Sequence, residues 1–206
     1  MITDRVTVDG RGVGRDDALG LAEKFSGYEQ LDRKSALRIR LLTEEMLGMV
    51  TEIAEDFNAQ FWIESEGNKA FLHLMADTEM NLNKKQEFID ASKRKKNDAG
   101  VGVMGKIREI VENSMYVMDK VGTLQAEYGE QCIMYSSMGV CEMTTVEYMW
   151  SLETYRASVK AARDNNTAAE QAWDELEKSI VANLADDVRV SVKGNKVELV
   201  IEKKFV

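Results

Sequence analysis

The chain has 206 residues, of which 44% are hydrophobic and 31% are charged, and its formal net charge is −9. This length and composition indicate a soluble protein with one sizeable domain. The negative charge argues against general binding to nucleic acids or anionic membranes, because both need a basic surface. The sequence has no apolar run near the roughly 20 residues that span a bilayer, and no signal-peptide pattern at its N-terminus. We therefore expect a cytoplasmic protein that binds neither nucleic acid nor membrane.

Few side chains of this chain are suited to metal binding or nucleophilic chemistry. His73 is the only histidine, and the two cysteines, Cys132 and Cys141, do not have CxxC spacing. We predict no metal site, because neither a multi-histidine nor a paired-cysteine ligand set is present. His73 lies in the middle of a predicted strand, and we interpret it as a structural residue.

The N-terminal region predicts a strand followed by a helix. Residues 1–8 alternate between apolar and polar side chains, which is typical of a strand, and a helix is predicted over residues 16–28. Gly10, Gly12 and Gly14 lie between them. Their spacing resembles a phosphate-binding loop, but no lysine-serine pair follows, so we favour a flexible connection.

Residues 31–56 predict a long helix with two distinct faces. One face is an apolar stripe at alternating three- and four-residue steps: Ile39, Leu42, Met46, Met49, Val50 and Ile53. A second face carries Leu37, Leu41, Glu44 and Gly48, which places a carboxylate beside a residue without a side chain. This arrangement makes Glu44 a candidate pocket residue.

Two segments predict β-hairpins because a Gly-Asn turn separates two alternating runs. The first covers residues 57–76 around Gly67 and Asn68, and the second covers residues 188–201 around Gly194 and Asn195. Helices are predicted over residues 103–118, 144–164 and 167–184. Strands in hairpins combined with several helices indicate an α+β two-layer sandwich.

The order of these elements resembles the GHKL ATPase superfamily, which includes gyrase, histidine kinase and anti-sigma-factor serine kinase ATPase domains. The residues that carry the resemblance are the long helix with LLTEEMLGM, the hairpin ending in DTEMN, a basic loop and the glycine turn GVGVMG before a helix. The likeness is closest to the anti-sigma kinases, whose helix carries a Glu followed four residues later by an Asn. Glu44 matches that Glu, and Gly48 stands where the magnesium-holding Asn would be.

The resemblance also implies which residues would contact a nucleotide. Asp77 matches the aspartate that binds the adenine amino group, although Glu79 and Asn81 replace the two glycines of that motif. Backbone N–H groups at the start of a helix can hold an anion. The expected phosphate contacts lie in the basic loop and the glycine turn: Lys95, Lys96, Gly100, Gly102 and Gly105.

The expected fold is therefore a histidine kinase-like one, with a mixed, mostly antiparallel sheet covered by helices. Residues 1–112 and 187–206 would form the ATPase-like domain, and residues 113–186 a mainly helical insertion packed on it. The resemblance implies ATP or ADP as a ligand, while Gly48 argues against magnesium because glycine offers no side-chain oxygen.

Three functions remain open at this point. The first is a regulatory protein with a degenerate ATPase-like fold that acts by binding a protein partner and holds nucleotide weakly or not at all. The second is an active serine kinase of the anti-sigma type with Glu44 as general base. The third is an unrelated α+β interaction module.

Overall fold

The computed structural model describes residues 1–53, 58–77, 147–163, 167–193 and 196–205. For residues 49–53, 77, 147–149, 168, 192 and 193 it describes the backbone only. In chain order the elements are β1 (Val6–Asp9), α1 (Arg15–Tyr28), α2 (Arg33–Ile53), β2 (Asn58–Glu66), β3 (Lys69–Asp77), β4 (Glu147–Ser151), α3 (Leu152–Ala162), α4 (Thr167–Lys178), α5 (Ile180–Leu184), β5 (Asp187–Lys193) and β6 (Lys196–Lys204). The helix predicted over residues 103–118 lies outside the described residues.

The six described strands form one sheet in the order β1-β2-β3-β6-β5-β4. We expected a mixed, mostly antiparallel sheet, whereas every pairing between described strands is antiparallel. The two predicted hairpins, β2–β3 and β5–β6, are confirmed. They are joined edge to edge because β3 pairs with β6, from Lys69 opposite Lys204 to Asp77 opposite Lys196. The described part of the chain thus has an α+β fold with one antiparallel sheet.

One face of the sheet and the helices form the hydrophobic core. Alternation along the strands turns every second side chain to this face, and α2 packs on α1, α5 and β1. The predicted stripe of α2 is confirmed as far as it is described, since Ile39, Leu42 and Met46 are fully buried. The core also includes Phe25 of α1 and, from the sheet, Phe61, Ile63, Leu72, Leu74, Val188, Val190, Leu199 and Ile201.

Two of the predicted helices are divided differently in the structure. Residues 144–164 were expected to form one helix, but Glu147–Ser151 is an edge strand paired with β5, and α3 begins at Leu152. Residues 167–184 were also expected to form one helix, but Ser179 separates α4 from α5. Each new helix starts after a serine whose side chain accepts the backbone N–H three residues later, Ser151 from Thr154 and Ser179 from Ala182. The segment expected as a helical insertion therefore contributes a strand to the sheet.

The turn between β1 and α1 explains two of the N-terminal glycines. Gly12 and Gly14 have positive φ angles of 87° and 77°. The carboxylate of Asp9 accepts hydrogen bonds from the backbone N–H groups of Arg11 and Val13, both at 2.9 Å. Burial acts to raise the pKa of Asp9, but the bonds from Val13 and Arg11 outweigh it and lower that pKa. The turn is thus an ordered structure rather than the flexible connection we expected.

We predict that Gly14→Ala destabilises the protein by about 3 kcal/mol or more, since a positive φ and a steric clash each cost about 1–3 kcal/mol. A Cβ at position 14 would lie 2.0 Å from the backbone oxygen of Thr7. Urea denaturation measures the change. Gly20→Ala is the matched control, because a Cβ there meets no atom within 4 Å inside α1 and alanine is the better helix former. Equal stabilities of the two variants would contradict the prediction.

A second prediction concerns Asp186, which ties the start of β5 to the end of β6. Its Oδ2 accepts hydrogen bonds from Nζ of Lys203 at 3.0 Å and from the backbone N–H of Lys204 at 2.6 Å. Burial acts to raise the pKa of this carboxyl, but the bonds from Lys204 and Lys203 outweigh it, and the pKa is lowered. The stabilisation is therefore present above the unfolded pKa of about 3.9 and is lost as pH falls through the lower folded value.

We expect Asp186→Asn to lower the free energy of unfolding by about 1–2 kcal/mol at neutral pH, because a charge-assisted bond is lost. The difference from the parent protein should shrink at acidic pH, where the carboxyl of the parent is also protonated. Urea denaturation at several pH values measures both effects. The exposed Asp4, changed to Asn, serves as the control and should have little effect. A destabilisation by Asp186→Asn that is the same at every pH would refute the ionic explanation.

Candidate functional site

The structure places Glu44 and Gly48 one turn apart on α2, as the sequence indicated. Nε of Arg40 donates to the Glu44 carboxylate at 3.2 Å, and Nη1 of the same arginine donates to Glu23 of α1. The Glu44 side chain is 34% exposed. Its carboxylate is therefore part of an ion-pair network between α1 and α2.

A groove of about 420 Å³ lies between α1 and α2. It is lined by Glu23, Ser26, Gly27, Leu31, Arg33, Ala36, Leu37 and Arg40. Leu37 is 54% exposed, and Tyr28 nearby in the chain is 71% exposed. Glu44 is not among the lining residues, although the sequence placed it on the same helix face as Leu37. The groove thus includes Leu37 from the predicted second face of α2, but not the carboxylate of Glu44.

Gly48 is not crowded by the described residues. An added Cβ at this position would meet none of their heavy atoms within 4 Å, apart from the backbone of its own helix. The described part of the chain therefore does not require glycine there for steric reasons. Glycine supplies no side-chain oxygen atom to hold a metal.

Of the other predicted nucleotide contacts, the structure describes the backbone of Asp77. Asp77 is the last residue of β3, at the strand end where the sequence placed it, and it is paired with Lys196 in the backbone register. The other candidates, Lys95, Lys96, Gly100, Gly102 and Gly105, lie outside the described residues.

The opposite face of the sheet carries an aromatic stack that sequence reasoning missed. Trp62 of β2 and His73 of β3 are direct partners in the register, and their rings are parallel within 4° at a centroid distance of 4.7 Å. The guanidinium of Arg5, just before β1, lies 4.4 Å from the centroid of Trp62. This stack packs three neighbouring segments of the sheet together and leaves Trp62 only 6% exposed. The sequence could have predicted this contact, because matching the two strands of the hairpin around its turn places Trp62 opposite His73.

His73 has a structural environment, in agreement with our interpretation of the sequence. Its Nδ1 lies 3.3 Å from Oε1 of Glu198, and its Nε2 lies 3.7 Å from Oε2 of Glu64. Nε2 is buried and makes no hydrogen bond, because 3.7 Å exceeds hydrogen-bonding distance. Within the described ranges, no group of three or more His, Cys, Asp or Glu side chains is arranged to hold a metal ion.

A second cavity, of about 400 Å³, lies near this stack, where β1, β2, β3 and β6 run side by side. Its lining residues are Arg5, Thr7, Asn58, Ala59, Gln60, Met75, Ala76 and Lys196. Strand alternation assigns the polar members of this set to the face opposite the helices. The two cavities therefore lie on different sides of the molecule.

Comparison with protein-family models, curated proteins and solved structures found no match to this chain. Among the helices that the structure describes, none combines the length and apolar character needed to cross a membrane. The relation to the GHKL superfamily is accordingly a proposal that depends on the arrangement of residues.

We predict that Trp62→Ala destabilises the protein by about 3–5 kcal/mol, the usual cost of truncating a buried aromatic residue. The loss removes the surface that His73 and Arg5 contact. Thermal and urea unfolding measure the effect. Trp173→Ala is the matched control, since this half-buried residue on α4 lies at the periphery of the core and should cost clearly less. Equal costs for the two substitutions would show that the stack contributes no more than ordinary partial burial.

Proposed function

We propose that this chain is a regulatory protein built on a degenerate ATPase-like fold of the histidine kinase and anti-sigma kinase type. It binds nucleotide weakly or not at all and acts by binding a protein partner. The observation that carries the proposal is Gly48, which stands on α2 where the kinases have a magnesium-holding Asn and which offers no side-chain oxygen. The acidic residue of the motif is kept as Glu44, while the side chain that would hold the metal is absent.

One further feature argues against an active kinase, and two others agree with a partner-binding role on such a fold. The Glu44 carboxylate, which would be the general base, already accepts a hydrogen bond from Arg40. The sheet that joins the two hairpins supplies a layer on which α2 packs, which is compatible with the proposed fold, although its described pairings are all antiparallel. A regulatory role through a partner also agrees with the exposed Leu37 beside the groove between α1 and α2. Exposed apolar side chains next to a concave surface are common at protein interfaces.

The test is restoration of the missing metal ligand by Gly48→Asn. Isothermal titration calorimetry with ATP and ADP, with and without magnesium, is performed on the parent protein and on the variant. We expect weak or undetectable binding by the parent protein. The variant should bind ATP at least about tenfold more tightly with magnesium than without, because one new carbonyl ligand is worth at least about 1.4 kcal/mol.

Gly48→Ala is the matched control, because it adds a Cβ at the same position without an oxygen. It should stabilise the helix by about 0.5–1 kcal/mol and leave nucleotide affinity unchanged. Tight magnesium-dependent ATP binding by the parent protein would show that the site is not degenerate and would favour the serine kinase. Absence of magnesium-dependent binding in Gly48→Asn would contradict the proposed site and favour an unrelated interaction module.

A further inference from the structure

We propose that the groove between α1 and α2 is the partner-binding surface of this protein and that it takes an acidic amphipathic helix of the partner. The inference rests on the proposed function, which requires a protein partner without identifying its chemistry. The groove has a volume of about 420 Å³, and Gly48 is not among its lining residues. The lining, the length and the charge of the groove each indicate the kind of segment that fits it.

The groove is lined mainly by apolar groups. Leu31, Ala36 and Leu37 contribute apolar side chains to it, and Leu37 is 54% exposed. Ser26 brings a hydroxyl, but its Oγ already donates to the backbone oxygen of Ala22 at 2.8 Å. Covering this surface with an apolar side chain of a partner is favourable, because apolar area is removed from water. The groove is therefore suited to large aliphatic or aromatic side chains.

Gly27 leaves one wall of the groove without a side chain. An added Cβ at this position of α1 would meet none of the described heavy atoms within 4 Å, apart from the backbone of its own helix. The described residues therefore do not require glycine there for steric reasons, and glycine within a helix is less favourable than alanine. Because Gly27 and Leu37 both line the groove, a side chain at position 27 would occupy space that a partner could otherwise use.

The groove has the length of a short helix. Four residues of α2 line it at the spacing i, i+3, i+4 and i+7: Arg33, Ala36, Leu37 and Arg40. The groove thus follows one stripe of α2 over two turns, which is about 10 Å. Only residues 29–32 join α1 to α2, so the two helices form a hairpin. A helix bound in such a groove uses apolar anchors spaced three or four residues apart.

The charge that is not offset at the groove is positive. Arg40 is offset by Glu23 and Glu44, with which its guanidinium forms ion pairs. Arg33 lines the groove two turns away. Like the neighbouring Lys34, it has no described carboxylate within 4 Å of its charged nitrogens. A carboxylate of the partner can therefore form charge-assisted hydrogen bonds at this end of the groove.

The acids nearest to Arg33 in the chain already have partners. Glu29 accepts a hydrogen bond from the hydroxyl of Ser65 at 2.6 Å, and Asp32 accepts the backbone N–H of Ser35 at 2.9 Å. Residues 33–40 contain four basic residues and no acid, in a chain whose net charge is −9. Complementary charges at the rim of an interface increase its specificity and its association rate. An acidic helix is thus preferred over a basic one.

The test is fluorescence anisotropy of the full chain with three labelled synthetic helices of about 15 residues. The first has leucine at i, i+3, i+4 and i+7, with glutamate and alanine elsewhere. The second has lysine in place of glutamate, and the third has serine in place of leucine. We expect saturable binding of the acidic leucine helix, at least about tenfold tighter than either of the others and weakened by added salt.

Two variants test the apolar part of the groove. Gly27→Leu fills the groove without removing a contact, and Leu37→Ser removes an apolar one, so each should weaken the acidic leucine helix at least about tenfold. Ile180→Ser is the matched control for Leu37→Ser, since Ile180 is 47% exposed on α5 and does not line the groove. It should leave the affinity unchanged. Thermal unfolding checks that each variant is folded, and Gly27→Leu replaces glycine by a better helix former.

Reversal of charge tests the recognition of the carboxylate. Arg33→Glu should reduce the preference for the acidic over the basic leucine helix from at least about tenfold to less than about twofold. Arg15→Glu is the matched control, because both arginines are exposed at the first position of a helix and Arg15 does not line the groove. It should leave the preference unchanged.

Three results would overturn the proposal: no saturable binding of the acidic leucine helix, equal affinity for the basic helix, or losses in the control variants as large as those in the groove variants. Analytical ultracentrifugation of the chain alone is the further check. Self-association that Leu37→Ser abolishes would assign the groove to a second copy of the chain and would also refute the proposal. The titration of Gly48→Asn with ATP is a separate measurement, because Gly48 does not line the groove. Failure of the nucleotide site and failure of the helix to bind are therefore distinguishable.

Discussion

The antiparallel pairing of β3 with β6 is the constraint on which the rest of this structure depends. Each hairpin can form locally around its turn, but a hairpin alone is only marginally stable in water. Pairing from Lys69 opposite Lys204 to Asp77 opposite Lys196 joins the two hairpins into one layer. The long intervening chain does not prevent this, because the entropy of loop closure grows only slowly with loop length. The joined layer then offers one continuous apolar face, and α1, α2 and α5 can bury their own apolar faces against it.

The two faces of this layer differ in what they can do. The helix side is filled with apolar side chains, and Glu44 and Gly48 of α2 are half-buried at the border of this core. The opposite side carries charged, amide and aromatic side chains in register across the strands. There, rings and charges are direct neighbours because antiparallel pairing places residues of adjacent strands opposite one another. The stack of Arg5, Trp62 and His73 is such a row. One alternating pattern therefore produces both a core and a polar surface with ordered side chains.

The sequence predicted the hairpins and the first two helices, because their signals are local. Alternation, Gly-Asn turns and the stripe of Ile39, Leu42 and Met46 each need only a short window. It did not predict β4 or the break between α4 and α5. Both errors fall at serines, Ser151 and Ser179, inside runs that otherwise have helical periodicity. A serine side chain can cap a new helix as readily as it can continue one, and pairing of Glu147–Ser151 with β5 is a tertiary effect. The cavity beside Arg5 also depends on strand order, which no local pattern reveals.

Gly14 and Gly48 show that the same residue type can have opposite physical meanings in one chain. Gly14 is required by the backbone, since a Cβ there would lie 2.0 Å from the oxygen of Thr7. Gly48 has no such requirement from the described residues around its Cβ position, and in a helix it costs about 1 kcal/mol relative to alanine. A glycine also supplies no side-chain oxygen, so residue 48 cannot coordinate a metal through its side chain. The function that we propose follows from this loss, because partner binding needs the shape of a surface and not a metal.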